Sequence, residues 1–311
     1  MTEAGKVYEA SPIRRQRATK AEMEERAEFL ISYAEAHGPV TVRQLYYRAE
    51  VEGLPGIEKT DSGYVKIQRQ VLDLRREGRL DYGLIADGTR LMRKPRSYDS
   101  VQDAIESTAR LYRKNLWLDA NDYVEIWCEK DALAGTIYPV TSEYDVPLMV
   151  TRGFSSETFA YSAIEWHEND ARNYYVYYLG DFDRAGQDAA SSLCEKLFRF
   201  WEENPRIVED TEINFEVLAV TEKQIQEMGL STRKPKRNTM ADQRWPHDFA
   251  CELDAIDANT LRDLVRTCIE KHLPPEQLKI LKVAEESERE LLRMFVDKKF
   301  DVDDGGDIDL E

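Results

Sequence analysis

The second half of the chain alternates between two textures. Four short apolar runs, YVEIWC (123–128), VPLMVT (146–151), YYVYYLG (174–180) and FEVLAV (215–220), are separated by stretches of helical spacing that begin at Asp131, Ser156 and Arg184. Strands that alternate with helices in this way specify an α/β domain with a mostly parallel sheet. Such sheets present their ligands beyond the carboxyl ends of the strands.

Three carboxylates stand at those ends. Glu129 directly follows the first run, and Asp181 and Asp183 follow the third. Their i, i+2 spacing turns both aspartates the same way while the chain is extended. Gly186 reads as the turn into the next helix. With no His near them in sequence, and with Cys128 belonging to the apolar run that Glu129 follows, the three form an all-oxygen set that suits Mg²⁺ or Mn²⁺ rather than zinc. Clustered, they would repel one another without a cation. Taken singly, each has a plainer reading as a loop residue, a helix cap or a helix-start carboxylate. Their placement at two strand ends of one sheet favours the metal site.

With 311 residues, 42% of them hydrophobic, the chain can bury one large core or two ordinary ones. No run approaches the roughly 18 apolar residues of a membrane helix, and the N-terminus MTEAGKVYEASPIRRQRATK has no apolar signal core. A cytoplasmic protein without a membrane partner is expected. Cys128, Cys194, Cys251 and Cys268 are scattered with no C-x-x-C pair, which argues against a zinc knuckle or a disulfide framework. H-E-x-x-H, Walker A and G-x-S-x-G motifs are missing, so zinc hydrolase, P-loop ATPase and α/β-hydrolase readings lose their usual support.

The formal charge of −17 is unevenly spread. Residues 43–96 hold twelve Lys or Arg against eight acids, a net +4 that leaves −21 for the rest. Within this basic region the N-terminal third reads as three helices. Thr19 with Glu22 and Thr41 with Gln44 have capping-box spacing, and His37-Gly38-Pro39 stops the first helix. The third helix, YVKIQRQVLDLRREG, turns Ile67, Val71 and Leu74 inward, leaving Lys66, Arg69, Arg75 and Arg76 to point elsewhere. RLDYGLIADGTRLMRKP then resembles a two-stranded wing. This order fits a winged helix-turn-helix over 18–96 whose third helix enters a DNA groove through Lys66, Arg69, Arg75 and Arg76; the plainer reading is a helical bundle with solvated cations. In the second helix, Tyr46 follows Val42 and Leu45 and should pack. Tyr47 falls four residues after Arg43 and should protrude.

EIWCEKDALAG, LMVTRGFSSET and YYLGDFDRAGQDA together resemble the Toprim domain of topoisomerases and primases, and VRQLYYR on a helical segment narrows the likeness. That combination resembles the A subunit of topoisomerase VI and the meiotic double-strand-break transesterase. The resemblance covers about residues 40–190. It implies a winged helix followed by a Rossmann-like Toprim sheet, with Glu129, Asp181 and Asp183 as ligands of Mg²⁺ or Mn²⁺. It also implies Tyr47 as the nucleophile, helped by Arg43, in Mg-dependent cleavage of double-stranded DNA through a 5′-phosphotyrosyl link. In that family the tyrosine of one subunit serves the metal of the other, so a homodimer is implied. A separate ATPase subunit is implied too, since this chain has no nucleotide-binding motif. Two departures stand out: Arg184-Ala185-Gly186 replaces the family's usual proline and histidine, and the length is closer to small standalone relatives of phages and mobile elements.

A phenol with an ordinary pKa near 10 needs a cation or base to act as a nucleophile near neutrality, a role open to Arg43 or the metal. The alternatives are a metal-dependent Toprim nuclease that uses water, and a noncatalytic DNA-binding module. The remaining expectations concern the rest of the chain. Residues 97–121 read as a linker helix, and 122–295 as the Toprim domain with a helical C-terminal extension. STRKPKRNTMADQRWP (231–246) is either a DNA-contacting loop or a solvated one. ACELDAI reads as a short strand whose Glu252 and Asp254 either supplement the metal cluster or cap a turn. Residues 296–311, acid-rich and without a core pattern, read as a disordered acidic tail.

Overall fold

The four apolar runs form one sheet. β1 (Asp122–Cys128), β2 (Leu148–Val150), β3 (Asn173–Leu179) and β4 (Ile213–Ala219) are all parallel, in the order β2-β1-β3-β4. The computed structural model describes residues 18–86, 97–153, 155–240 and 242–300. Helices follow the first three strands as the spacing predicts, α5 (Asp131–Glu143), α6 (Glu157–Glu165) and α7 (Arg184–Glu203), and a fourth, α8 (Glu222–Met228), follows β4. The chain leaves β1 towards one edge and β3 towards the other, so the strand order reverses between these two. That reversal opens a crevice beyond their carboxyl ends. Cys128 pairs with both Val150 and Leu179, which aligns the ends of β1, β2 and β3.

The sheet is covered on both faces, and the alternation of side chains assigns each residue its layer. Val124, Ile126, Cys128, Tyr177 and Leu179 pack in one core with α5 and with α9 (Ala258–Glu270). Trp127, Tyr174, Val176 and Tyr178 pack in another with α6 and α7.

The N-terminal helices are α1 (Lys20–His37), α2 (Val42–Val51) and α3 (Asp61–Arg76). Both expected capping boxes are made, Thr19 with Glu22 and Thr41 with Gln44. Helix α3 starts three residues before Tyr64, because the Thr60 hydroxyl accepts from the Gly63 amide at 3.2 Å. Ile67, Val71 and Leu74 are buried in a core shared with α1 and α2. Of the segment read as a wing, 79–86 forms a 3₁₀ turn (Tyr82–Leu84) and an isolated parallel bridge from Ile85 to Val40; residues 87–96 lie outside the described ones.

Helix α4 (Val101–Leu111) occupies only part of 97–121 and packs against α10 (Pro275–Phe300). There Glu288 accepts from the Tyr112 hydroxyl at 2.6 Å and from Lys114 at 2.5 Å. Helix α10 carries helical backbone into 296–300, the start of the segment expected as a tail; 301–311 lie outside the described residues. ACELDAI is not a strand: Cys251 bridges Phe182, Ala250 bridges Arg233, and Leu253–Ala255 is a 3₁₀ turn. Among the described residues, no helix is long and apolar enough to cross a membrane.

Candidate functional site

Glu129 and Asp181 meet at the crevice. The Glu129 amide donates to the carbonyl of Leu179 at 2.8 Å, continuing the β1–β3 ladder by one residue, and the Asp181 amide donates to Glu129 Oε2 at 3.2 Å. Gly180 makes this approach possible. A Cβ there would lie 2.6 Å from the Tyr178 ring and 2.9 Å from Glu129 Oε2. Asp183 does something different: it is the N-cap of α7, its Oδ1 accepting from the Gly186 amide at 2.9 Å. Gly186 is therefore inside the first turn of α7 and not a hinge before it. It is glycine because a Cβ would stand 2.3 Å from the Asp181 carbonyl oxygen.

Three cations and two further acids complete the cluster. Lys130 Nζ lies 2.9 Å from Asp181, 3.4 Å from Glu252 and 2.6 Å from Asp254. Arg233 pairs with Asp183 at 2.6 Å and with Glu252 at 3.4 Å, and Arg43 pairs with Glu252 at 2.8 Å. The Leu253 amide donates to Asp181 Oδ1 at 2.8 Å, so the turn after Cys251 closes the group. Together they line a cleft of about 750 Å³, walled on its far side by Thr41, Arg43, Tyr64 and Arg75.

Burial and charge pull these groups in opposite directions. Burial raises Glu129, and the nearby Asp181 raises it further. Burial also raises Asp181, against the pull of Lys130. For Glu252 burial works upward too, yet Lys130, Arg43 and Arg233 outweigh it and hold the carboxyl below its ordinary value. Burial would discharge Lys130, but Asp254, Asp181 and Glu252 keep it firmly protonated.

The donor chemistry at Glu129 and Asp181 suits a hard divalent cation: both are carboxylates, both are raised, and both face the cleft. Asp183 fits less well, because Oδ1 caps a helix and Oδ2 is held by Arg233. Among the described residues, no group of three or more His, Cys, Asp or Glu is arranged to hold a metal. The expected triad is thus a pair at the crevice with a third carboxylate tied up beside it.

Tyr47 does not protrude. It is 5% exposed, as is Tyr46, because the α2 face that carries it is covered as well. Its ring lies 5.3 Å from that of Tyr46 and 5.8 Å from Lys59 Nζ. Burial and then Glu252 push the phenol well above its ordinary value, and the opposing Arg43 and Lys130 do not compensate. Arg43 is committed elsewhere, to Glu252 and to the face of Tyr64 at 4.7 Å, and it is Tyr64 that lines the cleft.

The cations of α3 do not share one surface. Lys66 and Arg69 line a smaller cleft of about 350 Å³ against α1, with Lys66 bonded to the Gly56 carbonyl at 2.7 Å. Arg76 is exposed and lies seven residues from Arg69, on the same side of the helix. Arg75 alone reaches the acidic cleft, over the Tyr82 ring at 4.2 Å.

Sequence reasoning missed Lys130 and Arg233. Lys130 carried a signal, directly following Glu129 in CEKD. Arg233 sat in the basic loop 231–246, where it alone of the five cations is half-buried and pairs with Asp183 and Glu252; Lys234, Lys236, Arg237 and Arg244 are exposed, Arg237 donating to the carbonyls of Trp245 at 2.8 Å and His247 at 3.0 Å. Compared with protein-family models and with curated protein sequences, the chain matches none.

Proposed function

We propose that this chain cleaves double-stranded DNA by metal-assisted phosphoryl transfer, with Tyr47 as the nucleophile, in the manner of the topoisomerase VI A-like proteins it resembles. The observation that supports it most is the meeting of Glu129 and Asp181 at the strand-order reversal, in a cleft walled by the helix that carries Arg43 and Tyr47. In this reading the three helices act as a winged-helix DNA-binding unit. Glu129 and Asp181 would hold Mg²⁺ or Mn²⁺, with Asp183 joining once Arg233 turns to a phosphate. A divalent cation there supplies charge neutralisation at the phosphate.

The Tyr47 oxygen attacks phosphorus, the bond from phosphorus to the 3′ oxygen breaks, and the 3′ hydroxyl leaves with a proton. The 5′ end stays on the tyrosine. The phenol proton has to pass to a base as attack proceeds, and the departing 3′ oxygen takes up a proton in turn, which balances the step. Arg43 and Lys130 favour the phenolate, and release of Arg43 from Glu252 onto a phosphate would direct it at the reacting group.

The burial of Tyr47 favours a second reading, hydrolysis by water at the same carboxylates. Incubation of the full chain with supercoiled plasmid and Mg²⁺ or Mn²⁺, then denaturation with and without protease, separates the two. Ends that enter a gel only after protease support the tyrosine. Tyr47→Phe should abolish them; cleavage undiminished in that variant refutes the tyrosine and leaves hydrolysis, and no cleavage by the parent chain refutes both.

A further inference from the structure

Lys130 directly follows Glu129, and its ammonium sits among three carboxylates: 2.9 Å from Asp181 Oδ1, 2.6 Å from Asp254 Oδ2 and 3.4 Å from Glu252 Oε2. These acids come from two distant parts of the chain, the end of β3 and the turn after Cys251. An ammonium has three donors, matching the three acids that surround it. The group is largely enclosed, with the Lys130 side chain 20% exposed and that of Asp254 2% exposed.

Asp181 divides its two oxygens. Oδ1 accepts from Lys130 and from the Leu253 amide at 2.8 Å. Oδ2 has no hydrogen-bond or ion-pair partner among the described residues, and neither has Glu129 Oε1. A divalent ion can therefore take an oxygen from each of these acids while every contact of Lys130 stays in place. On the other side, Asp181 Oδ1, Glu252 and Asp254 form an oxygen set of the kind hard cations choose, and the ammonium already fills it. A second divalent ion would have to evict Lys130 and meet Arg43 and Arg233, which hold Glu252 at 2.8 Å and 3.4 Å. Breaking enclosed ion pairs in this way is costly, because it leaves charges away from water without partners.

We propose that the Lys130 ammonium takes the place of a second divalent cation. It shares Asp181 with an ion held at Glu129, so the chain binds one Mg²⁺ or Mn²⁺ where a two-metal site would bind two. This rests on the metal reading above. Lys130 is then a positioning residue, which steadies Asp181, Glu252 and Asp254 and leaves the phosphate to the metal and the arginines.

Mn²⁺ binding to the full chain, read from the loss of the free-ion electron paramagnetic resonance signal, tests this without DNA or activity. The parent should bind one ion per chain, and Asp181→Ala should lose it. Lys130→Met keeps the apolar stem, removes the charge and should bind two. Adding Asp254→Asn to Lys130→Met should return the count to one, because the vacated position loses a charged ligand. Two ions on the parent, or one on Lys130→Met, overturn the proposal. A parent that binds no Mn²⁺ refutes the metal reading; the place of Lys130 as a resident cation then stands if Lys130→Met binds one ion and falls if it binds none. Thermal unfolding covers a Lys130→Met chain that does not fold without metal. Recovery of its fold as Mn²⁺ is added supports the exchange of ammonium for ion, and a chain that stays unfolded at saturating Mn²⁺ overturns it.

Discussion

Glu125 and Glu129 lie four residues apart, one within β1 and one just past it, and the fold treats them in opposite ways. Glu125 points into the aromatic layer, where its Oε2 accepts from Trp127 Nε1 at 2.6 Å and from the Tyr174 hydroxyl at 2.7 Å. Burial raises it, and the causes acting on it are burial and its hydrogen-bond donors, with no cation among them. Glu129 is also raised by burial, but it opens on a cleft, and Lys130 is bound by the acids around it. Closure on all sides makes a carboxylate part of the core. Closure on three sides with cations to hand makes one that can exchange its partners.

The largest test of that contrast is functional. Asp181→Ala with Asp183→Ala should lower metal-dependent plasmid cleavage by roughly a thousandfold or more, the effect of losing several kcal/mol of transition-state stabilisation. Glu125→Gln should leave cleavage near the parent rate in the same assay. Equal losses in the two variants would erase the distinction.

Stability is the converse test. Glu125→Ala should cost about 3 kcal/mol in urea unfolding, because it leaves a cavity and two buried donors unpaired. Glu125→Gln keeps an acceptor and should cost far less. The sign with pH is definite. A carboxyl raised in the folded state adds stability that is fully present below its unfolded pKa and is lost as pH rises through the folded pKa. Glu125→Gln should therefore gain on the parent as pH rises through that window.

His167, stacked on Tyr174 at 3.8 Å between ring centres, titrates the other way. Burial lowers it from 6.5 to about 4, so the folded chain binds fewer protons than the unfolded one. Its contribution is present above pH 6.5 and is lost as pH falls towards 4, up to about 3 kcal/mol in all. His167→Phe should flatten that slope in urea titrations between pH 7 and 4.5. An unchanged slope would place the acid sensitivity elsewhere.

Arg75→Ala should have the smallest effect. A single phosphate contact at the cleft predicts a modest loss of DNA affinity and a fall of about 1 in the slope of log K against log salt. Arg76→Ala, outside the cleft, provides the comparison.

The order of elements was legible from local chemistry. Thr19-Glu22 and Thr41-Gln44 are three-residue signals, and an apolar run such as YYVYYLG declares a covered strand without reference to the rest of the chain. Glu129 and Asp181 were legible for the same reason, since strand ends in a parallel sheet are where such carboxylates converge. Asp183 was legible only as an acid. Its use as an α7 cap and an Arg233 partner depends on a loop fifty residues later.

Tyr47 shows where local pattern stops. Spacing from Arg43 placed it on the polar side of α2, and on an isolated helix it would have faced water. Helix α2 is instead covered on that side too, because residues 231–233 and 250–254 fold back over it. By itself the sequence determined the four sheet strands, the helices after the first three of them, the caps at Thr19 and Thr41, and the pair of acids at the crevice, because those follow from the chemistry of near neighbours. Only the tertiary structure decided that Lys130 and Arg233 neutralise the cluster, that Glu252 and Asp254 join it, and that Tyr47 is buried beside its own chain's acids. Those outcomes come from contacts between residues 50 to more than 200 positions apart, where charge and burial are set by what the fold brings together.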